Sequence, residues 1–221
     1  MPLRLAHRGD WRHAPENTLE ALLAAAAIAG CDGVEFDVRV SRDGEPVLLH
    51  DATLTRVQHR PERVDALTAA ELGAVGVCDL ASVLRELPSS TFLDVELKGT
   101  THGAATATVL REARGERPTR AVISSFEDET LAMMSTHLPG WPRWLNADDL
   151  EPVTIGRAVD LGCRAIAVRW GAITPASRAR VRAAGLQLAA WTVRTREVLE
   201  RLRELGVAAV CVEGEALDAA P

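Results

Sequence analysis

Short polar clusters stand where apolar, strand-like runs of this chain end. His7-Arg8-Gly9 follows Leu3-Arg4-Leu5-Ala6, Glu35-Phe36-Asp37 sits inside a run, His50-Asp51 closes another, and Glu96-Leu97-Lys98 closes a third. Two histidines, three carboxylates and two cations are what metal-assisted attack on a phosphate ester requires. The carboxylates hold a divalent ion, the imidazoles move protons near neutral pH, and the cations meet a phosphoryl group. Lys98 is the only lysine among 25 basic residues, yet it stands two positions from Glu96. An all-oxygen set of Glu35, Asp37 and Glu96 suits Mg²⁺ or Ca²⁺, ions that leave coordination positions open to water and substrate. The plainer reading of each acid, an ion pair with an arginine, weakens when three converge among apolar neighbours, because an unpaired buried charge is costly. With one divalent ion, Arg8 and Lys98, the three carboxylates leave a net charge of +1, which one phosphodiester anion would neutralise.

The elements that carry these clusters follow one recurring unit: a helix pattern, a glycine, then a short apolar run. Gly30, Gly162, Gly185 and Gly206 each occupy the stop position, where a left-handed cap ends a helix. Nine strand-like runs are expected, near 3–7, 33–40, 46–50, 91–97, 121–125, 142–146, 164–169, 186–193 and 207–213. Ser41-Arg42-Asp43-Gly44-Glu45 is too short for a parallel crossover, which takes about a dozen residues, and Asp-Gly is a hairpin signal. The run at 46–50 is therefore an antiparallel return on the second strand, and the other eight alternate with helices as a (β/α)8 TIM barrel requires. If Val40 lies opposite Pro46, His50 falls beside Phe36, level with the acids, and Glu35 and Asp37 share one face of their strand. His7, Glu96 and Trp191 fall at or near the C-terminal ends of their strands, the catalytic rim of such a barrel. Residues 51–90, with weak helices at 68–75 and 80–86, form a short insertion expected to cap the site of a single domain spanning 1–221.

Other residues read less sharply. Trp191 is either an aromatic wall against a substrate or core packing. Pro15-Glu16-Asn17-Thr18 reads as a helix cap and first turn, with Glu16 available to steady a site group. Ser124, Ser125 and Phe126 are weak candidates for the pocket lining. The arginines of 194–203 read as a solvated helix face, and His13, His59, His102 and His137 as surface residues. The four cysteines, Cys31, Cys78, Cys163 and Cys211, have no paired spacing and read as small buried hydrophobes. A net charge of −6 and a pI near 5.6 argue against a nucleic-acid partner. No apolar run approaches the roughly 20 residues of a membrane span, and no signal peptide is visible, so a cytoplasmic protein without stable membrane association is expected.

Together the HRG…PENT, ExD, HD and ExK clusters, with Ser125-Phe126 and Trp191-Thr192-Val193, resemble the glycerophosphodiester phosphodiesterase family from His7 to about Val193. The resemblance implies a TIM barrel that hydrolyses a small-molecule glycerophosphodiester to glycerol 3-phosphate and an alcohol. It implies a divalent cation on Glu35, Asp37 and Glu96, His7 and His50 as general acid and base, and Arg8 and Lys98 on the phosphate. The chain departs from the family pattern at Val57-Gln58-His59-Arg60-Pro61, at Arg194 in place of asparagine, and at Val212-Glu213-Gly214-Glu215. Two rivals stand beside this reading: a similar barrel acting on lipids, of lysophospholipase D or sphingomyelinase D type, and a catalytically silent phosphate- or metal-binding barrel.

Overall fold

The sheet closes on itself through the pairing of the first strand with the second. The computed structural model describes residues 1–218. Its strands are β1 (Leu3–His7), β2 (Gly33–Val40), β3 (Pro46–Leu48), β4 (Phe92–Leu97), β5 (Ala121–Ser125), β6 (Arg143–Ala147), β7 (Ala165–Arg169), β8 (Gln187–Val193) and β9 (Ala209–Val212). Neighbouring strands run in the order β1-β9-β8-β7-β6-β5-β4-β2, and β1 pairs with β2 to close an eight-stranded parallel barrel. The ninth strand, β3, lies outside the ring. It pairs antiparallel with β2, Val40 opposite Pro46, as the short Asp-Gly link requires.

The α-helices among the described residues are α1 (Leu19–Ala26), α2 (Thr55–Gln58), α3 (Ala69–Gly73), α4 (Leu80–Glu86), α5 (Ala104–Arg114), α6 (Asp128–His137), α7 (Pro152–Asp160), α8 (Pro175–Ala183) and α9 (Arg196–Glu204). Of these, α1 and α4 to α9 each cross from one barrel strand to the next. The cap glycines Gly30, Gly162, Gly185 and Gly206 have φ of +80°, +63°, +78° and +64°, the left-handed geometry that ends a helix cheaply only with glycine. Within the insertion, 80–86 belongs to the outer helix layer. Leu54, Val64, Leu72 and Val77 form a small satellite core with Val47 and Leu49 of the hairpin.

Two apolar layers hold the barrel. Val34, Phe36 and Val38 of β2 point outward into the core between sheet and helices, where Leu93, Val95 and Leu97 of β4 join them. Leu5, Phe92, Val122, Trp144, Ala165, Ala189 and Cys211 face inward and fill the barrel floor, with the Phe92 and Trp144 rings stacked 6.2 Å apart. Burying one such leucine or phenylalanine contributes about 1.5–3 kcal/mol. Above this floor the inward positions turn polar, and the site begins. Cys163 and Cys211 are buried, Cys31 and Cys78 only half-buried, and all four are free thiols.

His102 corrects the surface reading: it is 3% exposed. Its Nε2–H donates to the Lys98 carbonyl at 3.1 Å and its Nδ1 lies 3.4 Å from Thr106 Oγ1, so the turn that carries Lys98 is pinned to α5. Burial pushes this imidazole down to about pH 4.

Two predictions follow from this packing. A Cβ built on Gly33 would lie 2.1 Å from the Phe92 carbonyl oxygen, so β2 and β4 approach too closely for any side chain there. Gly33→Ala is expected to lower stability by about 1–3 kcal/mol, read from the urea midpoint; an unchanged midpoint contradicts this register. As for His102, the unfolded imidazole takes up its proton near pH 6.5 while the folded one waits until about pH 4, so stability falls as pH drops through that window. The loss attributable to His102 is up to about 3 kcal/mol. His102→Gln should show a shallower fall in stability than wild type between pH 7 and pH 4, and parallel curves contradict the assignment.

Candidate active site

Strand register sets the first geometry. Glu35 and Asp37 of β2 are Cα partners of Asp94 and Glu96 of β4, and His7 of β1 is the partner of Glu35. Four carboxylates therefore form a two-by-two block on the inner wall, 0–9% exposed. One oxygen each from Glu35, Asp37 and Glu96 lies within 4.8 Å of the other two. The three acids expected from sequence do converge. Asp94, which sequence reasoning missed, lies with them, its Oδ1 accepting from Ser124 Oγ at 2.6 Å.

Burial and mutual repulsion shape their ionisation. Glu35 is held well above the ordinary carboxylate range, first by burial and then by Asp37, Glu96 and Asp94. Burial pushes Asp94 up to about 7, against the pull of the Ser124 hydroxyl. For Asp37, burial also pushes upward, but Lys98, Arg8 and His50 outweigh it and hold the group below its usual value. Lys98 Nζ lies 2.5 Å from Glu96 Oε1 and 3.2 Å from Asp37 Oδ1, and Arg8 Nε lies 3.0 Å from Asp37 Oδ2. Glu35 Oε1 is nevertheless buried without a hydrogen-bond donor, and buried Asp37 Oδ1 has only the Lys98 ion pair and no hydrogen bond. Orphaned acceptors of this kind are rare inside proteins, and a divalent cation bound by oxygen would satisfy both. The donor set fits such an ion.

The loop after β1 is held in place by the same acids. Arg8 adopts φ +60°, unusual for a residue with a side chain. Its N–H donates to the Glu35 carbonyl at 2.8 Å, and its own carbonyl accepts from Asn17 N at 3.1 Å. Asn17 belongs by spacing to a helix opening. Its amide instead donates to Asp37 Oδ2 at 2.9 Å and its Oδ1 accepts from Asp37 N at 3.0 Å, while Thr18 is the cap that accepts from Ala21 N. Glu16 does steady site groups: it accepts from Arg8 Nη1 at 3.0 Å and from Arg56 at 2.7 and 2.8 Å.

Both histidines are gripped at Nδ1. His50 Nδ1 lies 2.6 Å from Asp51 Oδ1, and Asp51 Oδ2 accepts from Arg56 Nε at 2.6 Å. His7 Nδ1 bonds Glu213 Oε1, and Glu213 Oε2 accepts from Arg194 Nε at 2.8 Å. Neither Glu213 nor Arg194 was anticipated as a site residue. Arg194 precedes α9, whose cap is Thr195; its side chain is solvated as expected, 66% exposed, but it stands before the helix and borders the cavity. Glu213 is invisible to local pattern because its partner is 206 residues away.

These groups surround one cavity of about 510 Å³, lined by His7, Arg8, Glu16, Glu35, His50, Asp94, Glu96, Lys98 and Glu213, among others. Trp11, Phe126 and Trp191 supply its apolar wall. Trp191 donates from Nε1 to the Ala167 carbonyl at 3.0 Å and meets the Phe126 ring edge-on at 5.8 Å. It thus lines the cavity and packs against its neighbours at once. The charge balance counted from sequence was incomplete, since Glu16, Asp94, Glu213 and Arg194 also border this cavity.

The same barrel is found in solved structures. An Oleispira antarctica phosphodiesterase in complex with the product sn-glycerol-3-phosphate superposes with a TM-score of 0.86 at 25% identity, covering 99% of this chain and 95% of that one. A Thermotoga maritima glycerophosphodiester phosphodiesterase gives 0.81 at 23% identity, covering 99% and 96%, a likeness of fold. Among curated relatives, a Caldanaerobacter subterraneus glycerophosphodiester phosphodiesterase is 40% identical over 70 residues, 32% of this chain and 28% of its own length. A Mycobacterium tuberculosis probable glycerophosphodiester phosphodiesterase 1 is 30% identical over 198 residues, 87% of this chain and 60% of its own length. The chain spans less than two thirds of either of these relatives. The model of the glycerophosphoryl diester phosphodiesterase family matches residues 7–91 and 79–214, and with that match along nearly its whole length the chain belongs to this family.

Proposed function

We propose that this chain hydrolyses glycerophosphodiesters to glycerol 3-phosphate and an alcohol, using a divalent cation held by Glu35, Asp37 and Glu96. The observation that carries the reading is the convergence of these three buried carboxylates within 4.8 Å, with acceptors left unsatisfied, beside two carboxylate-anchored histidines. The product bound to the Oleispira relative supports the same reaction. Bound there, the cation would act as a Lewis acid toward the phosphoryl oxygens and offset charge gained in the transition state.

The remaining steps belong to side chains. Lys98 has a third ammonium proton beyond its contacts to Glu96 and Asp37, and Arg8, hydrogen-bonded to Glu16 through Nη1 and ion-paired with Asp37, retains guanidinium donors. In this reading both meet phosphate oxygens, where charge-assisted hydrogen bonds are strongest. His7 and His50 have Nε2 left for substrate because Nδ1 is engaged. One removes the proton of the attacking oxygen, from water or from the neighbouring glycerol hydroxyl, and the other protonates the departing alcohol. If the glycerol hydroxyl attacks, a cyclic phosphate forms first and is then hydrolysed. Trp191 walls the substrate opposite.

The whole chain acts as one catalytic domain in this reading. Its insertion borders the site through Asp51 and Arg56. Four free cysteines fit a reducing cytoplasm, and no helix among the described residues is long and apolar enough to cross a membrane. One observation favours a second reading: Trp11 and Phe126 are 48% and 37% exposed at the cavity, an apolar edge that would suit a lipid leaving group.

The test is glycerol 3-phosphate release from glycerophosphocholine, glycerophosphoethanolamine and glycerophosphoglycerol, beside product release from a lysophospholipid, with Mg²⁺, Ca²⁺ or chelator. Release from a glycerophosphodiester that stops with chelator is expected. Turnover of the lysophospholipid alone would favour the lipid reading, and no turnover with metal binding intact a silent barrel. In the active preparation, His50→Ala should lower kcat by about 100-fold or more, while calorimetric metal binding persists. Near-normal turnover by that variant would remove His50 from the chemistry.

A further inference from the structure

Glu213 closes the last barrel strand beside the first. Ala6 of β1 is the Cα partner of Val212 of β9, so His7 and Glu213, one residue further along, stand side by side at the rim. The Glu213 carboxylate is 10% exposed and the His7 side chain 17%, whereas Asp51, the carboxylate on His50, is 30% exposed. The His7 contact is thus the better shielded from water of the two. Burial would raise the Glu213 pKa, but His7 and Arg194 outweigh it and hold the group below the usual glutamate range. An ionised carboxylate only accepts, so the shared hydrogen must sit on His7 Nδ1. The lone pair of neutral His7 is then on Nε2, the nitrogen 3.9 Å from Glu35 Oε2 and on the side of the acid cluster.

We propose that Glu213 is a positioning residue for the reaction, fixing His7 in its Nδ1–H tautomer, and that Arg194 fixes the carboxylate in turn. This rests on the hydrolytic reading, in which His7 is one of the two proton-transfer groups. Arg194 Nε donates to Glu213 Oε2, which makes the pair directional. A glutamine at 213 must offer its carbonyl oxygen to the arginine, since its amide N–H₂ would face another donor. The amide then donates to His7 Nδ1 and drives the ring into the opposite tautomer, with Nε2 protonated. An alanine at 213 merely releases the ring. A purely structural contact predicts the reverse order of damage, because glutamine preserves shape and alanine leaves a gap.

The experiment compares Glu213→Gln, Glu213→Ala and Arg194→Ala/Glu213→Gln in the full chain with a glycerophosphodiester that the wild type turns over. ¹⁵N-histidine NMR of wild type and Glu213→Gln accompanies it. Glu213→Gln is expected to lower kcat on the order of 10²- to 10⁴-fold with little change in KM, and to be worse than Glu213→Ala. Removing the Arg194 guanidinium frees the amide to turn, so the double variant should recover part of the lost kcat. The NMR should show neutral His7 protonated at Nδ1 in wild type and at Nε2 in Glu213→Gln. Glu213→Gln milder than Glu213→Ala, no recovery in the double variant, or wild-type His7 protonated at Nε2 would each overturn the proposal. The NMR arm reads the tautomer without turnover, so inactivity of the wild type on every diester would overturn the hydrolytic reading and leave this arm to decide the contact. If Glu213→Ala fails to fold, the isosteric variant, the double variant and the spectra still decide.

Discussion

Four carboxylates share one buried wall, and most of the site follows from that constraint. Glu35, Asp37, Asp94 and Glu96 sit at paired positions of β2 and β4, where repulsion and loss of water both oppose ionisation. An uncompensated charge in such surroundings costs several kcal/mol. The protein offsets part of this with Lys98 between Glu96 and Asp37, Arg8 against Asp37, the Asn17 amide on Asp37 and the Ser124 hydroxyl on Asp94. What stays uncompensated is localised: Glu35 Oε1 has no donor, and Asp37 Oδ1 has the Lys98 ion pair but no hydrogen bond. That residue of unmet acceptor capacity is what a divalent cation would satisfy.

The compensation is carried outward in alternating charges. Asp37 pairs with Arg8, Arg8 with Glu16, Glu16 with Arg56, and Arg56 with Asp51, which holds His50. A single line of ion pairs therefore joins an acid of the carboxylate block to a histidine on the hairpin side of the barrel. Arginine suits this role because its planar fork engages two carboxylates at once, as Arg56 does with Glu16 and Asp51. Lysine suits the centre, where one compact charge must lie close to two acids and keep a donor spare. The hairpin matters for the same reason: β3 folds back along β2, so His50 arrives at the height of the acids without occupying a place in the ring.

Much of this was legible in the sequence. The nine strands and the antiparallel return with Val40 opposite Pro46 follow from patterning and loop length, and the convergence of Glu35, Asp37 and Glu96 from their places at strand ends of a barrel. Asp94 was within reach, because it lies two residues before Glu96 and so shares its inward face. Asn17 was hidden by chemistry it shares with helix caps, and only the structure separates it from Thr18. Glu213 and His102 lay beyond local pattern altogether. One meets its partner where the last strand closes on the first, and the other is buried by how the turn after β4 packs on α5. Pairing across a barrel's closure is set by the whole ring and leaves no trace in spacing.

The central claim is that the buried carboxylate block has a place for a divalent cation. Thermal unfolding with Mg²⁺ or Ca²⁺ titrated in, compared between wild type and Asp37→Asn, tests it most directly and needs no substrate. A ligand bound only by the folded state raises the midpoint with its concentration. The account predicts a concentration-dependent rise in wild type that is lost in Asp37→Asn. A wild type indifferent to both cations, or a variant that responds equally, would contradict it.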